Sequence, residues 1–144
     1  MQIYKIKISM KIPTFEEFLN ESVTKADLNY AEKLADKWLG KYGIDVEFTK
    51  HFLDRINDER NNPAISISEL IEMFKKVAEK LGKEFSGEYD SLEAVLKDVV
   101  SDINIPFALK PDSDPREDTE LIAKTIMRKP NFQTSNKIFK VWKK

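Results

Sequence analysis

Apolar residues recur at helical spacing through the first two thirds of the chain and alternate with polar ones through the last third. Leu28, Ala31, Leu34, Ala35, Trp38, Leu39 and Tyr42 make one stripe on a helix over residues 24–42. Thr24 caps its start, and Gly43 stands where a left-handed residue ends it. Residues 50–60, KHFLDRINDER, read as a second helix with Phe52, Leu53 and Ile56 inward, stopped by Asn61-Asn62-Pro63. Ser66 with Glu69 makes a capping box for a third helix, carrying Leu70, Ile71, Phe74, Val77, Ala78 and Leu81 and closed by Gly82. Thr14 and Glu17 make another box for a short helix over Thr14 to Asn20, while Ile44–Thr49 reads as a connector and residues 83–90 as a polar loop.

Period-two character follows. Ile103 to Lys110 is a strand interrupted by Pro106, which places it at an edge or a bulge. From Glu120 to Arg128, Leu121, Ala123, Thr125 and Met127 face one side, and Ile122, Lys124, Ile126 and Arg128 the other. Lys137 to Trp142 alternates again. Residues 91–100 fit either type: Leu92, Val95, Leu96 and Val99 have helical spacing, whereas Val95 to Val100 suits a buried strand, and the helix is preferred. Residues 1–9 alternate as a strand does, and Met1 and Met10 are both candidate starts. The expectation is an α+β fold, with N-terminal helices packed on a small C-terminal antiparallel sheet. Residues 1–21 are an extension and 22–144 a single domain.

Composition narrows the chemistry. With 144 residues, 41% hydrophobic and 34% charged, the chain has the length and make-up of one globular domain. No apolar run spans a bilayer, and MQIYKIKISMKI lacks the continuous apolar stretch of a secretory signal. The absence of cysteine excludes disulfides, thiolate zinc sites and cysteine nucleophiles, and the single histidine, His51, excludes a multi-histidine metal site. No metal and no cofactor are expected. Net charge is −1, yet from Leu121 onward the chain has seven basic residues and no acid.

The stretch Met10 to Ser22, MKIPTFEEFLNES, resembles the capsid-targeting sequence of the internal head proteins of large tailed phages. That resemblance implies docking of residues 10–21 to the scaffold core of a phage head. It also implies cleavage by a prohead protease after Glu21, with Leu19 two residues before the cut and Ser22 as the new N-terminus. The localisation implied is the virion interior, then the host cytoplasm.

A His/Arg helix, a second helix and a sheet with basic residues follow one another over residues 48–142. This order resembles the toxin-type ribonucleases of the barnase, colicin and RelE superfamily. By that resemblance His51 is a general acid or base and Arg55, Lys124 and Arg128 hold phosphate, with RNA as the partner. Arg60, Lys129, Lys137 and Lys140 are the further nucleic-acid-binding candidates. Metal-free cleavage by the RNA's own 2′-hydroxyl suits a histidine with pKa near neutrality and cations aimed at the phosphoryl oxygens. No second histidine or glutamate completes an acid/base pair here.

The plainer readings compete at each position. His51 is a capping or core residue, Arg55 and Arg60 pair with Asp54, Asp58 and Glu59, and the terminal lysines only solubilise. A non-catalytic structural or internal virion protein, or an inhibitor that binds a host enzyme, is therefore the alternative to a packaged nuclease.

Overall fold

Thr24 caps the first helix as its sequence requires. Its hydroxyl accepts the Asp27 N–H at 3.1 Å and the Asp27 carboxylate accepts the Thr24 N–H at 3.0 Å, which satisfies two helix-end donors at once. The structure, a computed structural model, describes residues 22–87, 91–111 and 119–142. Expectations for residues 1–21, including Leu19, Glu21 and the helix at Thr14, lie outside the described residues, as do Lys143 and Lys144.

In chain order the elements are α1 (Lys25–Gly40), β1 (Ile44–Phe48), α2 (Phe52–Ile56), α3 (Ile67–Gly87), β2 (Leu92–Asp98), β3 (Ile103–Lys110), β4 (Thr119–Ala123), β5 (Met127–Arg128) and β6 (Lys137–Val141). The α+β class is as the sequence implies. The sheet is mixed, however, not antiparallel: its order is β1-β4-β3-β2-β6, with β1 parallel to β4, β2 parallel to β6, and β5 beside β3. Two segments that read first as a connector and as a helix are strands, and they account for the difference. Ile44–Phe48 is edge strand β1, and 92–98 is a central strand, not a helix. Ala94, Val95 and Leu96 are buried in succession, so side chains on both faces of β2 are covered there.

The helices also end elsewhere than expected. The second is only Phe52–Ile56, because Asn57 and Asn61 turn the chain after one helical turn. The third runs on through Gly82 to Gly87. Gly82 is there for space: a Cβ at that position would stand 2.4 Å from the Tyr42 ring. Gly43, at φ 75°, does turn the chain out of α1 in the left-handed region.

One apolar layer lies between α1, α3 and the sheet. Phe48 meets Phe52 and Phe74 with ring centroids at 4.6 and 5.6 Å, and Phe85 meets Phe107 and Phe139 at 5.5 and 5.0 Å. Each such pair contributes about 0.5–1.5 kcal/mol beyond the area it buries. The buried Asp98 carboxylate accepts from Lys76 Nζ at 2.9 Å and from the Val100 N–H at 2.9 Å, tying α3 to the β2–β3 turn.

The free edge of β1 is covered by side chains of α1. Asp36 Oδ1 accepts the Val46 N–H at 2.7 Å and Glu32 Oε1 accepts the Phe48 N–H at 3.4 Å, so two carboxylates four residues apart cap two edge donors. Burial first, and then Asp45 and Glu32 nearby, push the Asp36 carboxyl from 3.8 up to about 6, although the Val46 bond opposes them. A carboxyl raised on folding binds its proton more tightly in the native state. Its contribution to stability is therefore greatest below 3.8 and declines as pH rises to about 6. Asp36→Asn keeps the acceptor for Val46 and removes the ionisation. Urea unfolding from pH 4 to 7 should show the variant gaining on the parent as pH rises. A constant difference across that range would contradict the assignment.

Candidate functional site

Pro106 has no N–H to give its neighbour, and a cleft opens where that donor is missing. Lys124 N–H donates to the Pro106 carbonyl at 2.9 Å, but the return bond of an antiparallel pair cannot form. The Lys124 carbonyl instead accepts the Thr49 hydroxyl at 2.8 Å. Beyond it the neighbouring strand carries one extra residue. Phe107 pairs with Ala123 and Asn104 with Met127, so Ile105 and Pro106 face Lys124, Thr125 and Ile126. The bulge reverses which side chains point inward. Leu121 and Ala123 enter the core before it, and Ile126 enters after it. Lys124 and Arg128, expected on one strand face, consequently diverge. Lys124 meets Glu93 on β2 while Arg128 turns toward the start of α3.

Arg128 is committed to the fold. Its Nε donates to the Pro63 carbonyl at 2.8 Å, Nη1 to the Ser101 carbonyl at 2.8 Å, and Nη2 to the Ala64 carbonyl at 3.1 Å and to Glu69 Oε1 at 2.7 Å. Its backbone N–H donates to Asn61 Oδ1 at 2.9 Å. One planar guanidinium thus joins the α2–α3 loop, the first turn of α3 and the β2–β3 turn, with only 10% of its side chain exposed.

Around this joint His51, Arg55, Arg60, Lys124, Arg128 and Lys129 line one open cleft of about 760 Å³. Lys137 and Lys140 do not reach it; they stand on β6, the strand at the far edge from β1. His51 is exposed just before α2, and its side chain makes no capping bond. Arg55 is exposed and has no ion-pair partner among the described residues. Arg60 forks onto Asp58 at 3.1 and 2.9 Å and holds that carboxyl down to about 2. Lys124 likewise holds the Glu93 carboxyl below its usual range.

Sequence reasoning missed the residues that build the cleft walls. Asn61 donates to the Arg55 carbonyl at 2.9 Å while accepting from Arg128, so it joins the end of α2 to β5. Asn104, wholly buried in β3, donates to the carbonyls of Asp102, Met127 and Lys129. Lys97 Nζ reaches the Asn104 oxygen at 3.3 Å and the Lys129 carbonyl at 3.5 Å. A polar asparagine inside the apolar run Ile103–Ile105 was the available signal for Asn104. Among the described residues no group of three histidine, aspartate or glutamate side chains is placed to hold a metal ion.

No protein-family model matches the chain, and no solved structure matches it. The chain is similar to the ATP synthase subunit delta of Sulfurihydrogenibium sp. (strain YO3AOP1), with 27% identity over 135 residues covering 85% of this chain and 72% of that protein. This finding corrects the resemblances drawn from the sequence. A protein named as a synthase subunit is neither a packaged phage head protein nor a toxin ribonuclease. RNA, a phage scaffold core and a prohead protease are accordingly set aside as partners, and the virion interior and host cytoplasm as locations. Ser22, the residue expected after the cut, is described and exposed.

Removing Arg128 should therefore cost stability. Arg128→Ala leaves three carbonyls without their donor and Glu69 with only its Ser66 contacts, a loss of about 1–3 kcal/mol. Arg128→Lys, lacking the planar fork, should recover only part of that loss. Exposed Arg55→Ala should stay within about 0.5 kcal/mol of the parent. Denaturant unfolding of the three variants checks the order. Equal losses for Arg55→Ala and Arg128→Ala would refute it.

Proposed function

We propose that this chain is a non-catalytic component of a multisubunit assembly and acts by binding protein partners, as a subunit of an ATP synthase does. The single observation that carries the reading is the similarity to a delta subunit, which runs along most of both chains. The cleft chemistry is consistent with it. The best-held cation there, Arg128, directs four side-chain hydrogen bonds to the protein's own carbonyls and Glu69. His51 has no carboxylate or second imidazole bonded to it among the described residues, so nothing orients it as an acid or base. The partners in this reading are other subunits of such a synthase. Residues 22–144 act as the binding domain, with 1–21 as an appended segment.

No helix among the described residues is long and apolar enough to cross a membrane. The direct test mixes the purified chain with an ATP synthase stripped of its delta subunit and follows sedimentation. Co-sedimentation that saturates at a fixed stoichiometry, and that unlabelled chain competes away, is expected. Failure to sediment at concentrations well above those of a stable subunit contact would overturn the proposal.

A further inference from the structure

We propose that the cleft between α2 and the β4–β5 bulge receives an acidic segment of the partner protein, its carboxylates held by Arg55, Lys129 and Lys124. The inference rests on the partner-binding reading and supplies its chemistry. Five cationic side chains line the cleft against one carboxylate, Asp58, in a chain whose net charge is −1. The positive charge is local, and a concave wall concentrates its field.

These cations fall into three groups, of which the first, Arg60 and Arg128, is already engaged by Asp58 and by the fold's carbonyls and Glu69. Arg128 makes four side-chain hydrogen bonds to the fold and serves as scaffold. Arg55 and Lys129 are exposed, and neither has an ion-pair partner among the described residues. Lys124 is paired, but its bridge to Glu93 leaves 43% and 65% of the two side chains exposed, and such a bridge exchanges readily for another carboxylate. The bulge adds uncharged donors. Among the described residues no hydrogen bond engages the hydroxyl or the peptide groups of Thr125, which lies in the cleft between two segments of strand.

The fixed parts hold the free ones in place. Asn61 ties the Arg55 carbonyl to the Arg128 N–H, and Asn104 with Lys97 holds the Lys129 carbonyl. Arg55 and Lys129 therefore start from backbone positions that binding need not reorganise, which lowers the entropy lost on association. A carboxylate-bearing peptide is the occupant that follows from a protein partner; no Phe, Tyr or Trp lines the cleft, and His51 is the one ring there.

The test is an NMR titration of the ¹⁵N-labelled chain with hexaglutamate, with inorganic phosphate and hexauridylate as parallel arms. Hexaglutamate should move the amide signals of Arg55, Thr125 and Lys129, and its affinity should drop about tenfold between about 50 mM and 300 mM salt. The double variant Arg55→Glu/Lys129→Glu should keep the parent's dispersed spectrum and lose the response. No response in the cleft, a response confined to other faces, or tighter binding of phosphate or hexauridylate would each overturn the inference. Failure here is distinguishable from failure of the assembly reading. If the double variant still co-sediments with the stripped synthase as the parent does, the partner docks elsewhere and only the cleft assignment falls.

Discussion

A missing hydrogen-bond donor in a central strand determines how the candidate site is built. Proline within a sheet is tolerated at edges and bulges because it leaves one carbonyl opposite without a partner. Pro106 lies in β3, with β2 on one side and the β4–β5 segment on the other. The orphaned carbonyl is that of Lys124, and Thr49 supplies its hydroxyl to it. The extra residue that follows reverses the side-chain alternation, brings Ile126 into the core and aims Arg128 at the loop before α3. Without the bulge, strict alternation would leave Arg128 on the solvent face with Lys124.

Charge in the cleft is divided between structure and surface. Arg128 acts as a cross-link among segments far apart in sequence, satisfying carbonyls that the irregular α2–α3 loop would otherwise leave open. Arg55 and Lys129 are carried on backbone fixed by Asn61, Asn104 and Lys97, yet their own charges face solvent. A rigid frame with exposed cations is suited to recognising a partner's carboxylates.

Several features were legible in the sequence. The Thr24 and Ser66 starts, the apolar stripes of α1 and α3, and the strands at 103–110 and 137–141 followed from capping chemistry and periodicity. The β1 strand was legible too, since Ile44, Val46 and Phe48 alternate with Asp45 and Glu47, but its five residues resemble a connector between helices. The central strand β2 was not separable from a helix, because burial on both faces erases the period-two signal. Co-location of His51, Arg55, Lys124 and Arg128 was expected from element order, whereas the divergence of Lys124 from Arg128 required the bulge. Pro106 announced a bulge without saying which strand would carry the extra residue. The family resemblances rested on a short N-terminal stretch and on element order, and order alone is shared by unrelated proteins.

The central claim is that the Arg128 guanidinium is a buried joint of the fold, not a free cation awaiting a substrate. Hydrogen exchange of its Nε–H, followed by NMR in the intact protein, measures this directly. Exchange clearly slower than that of the exposed Arg55 Nε–H is expected, because the Arg128 Nε–H donates to the Pro63 carbonyl. Exchange at the rate of a solvent-exposed guanidinium would contradict it.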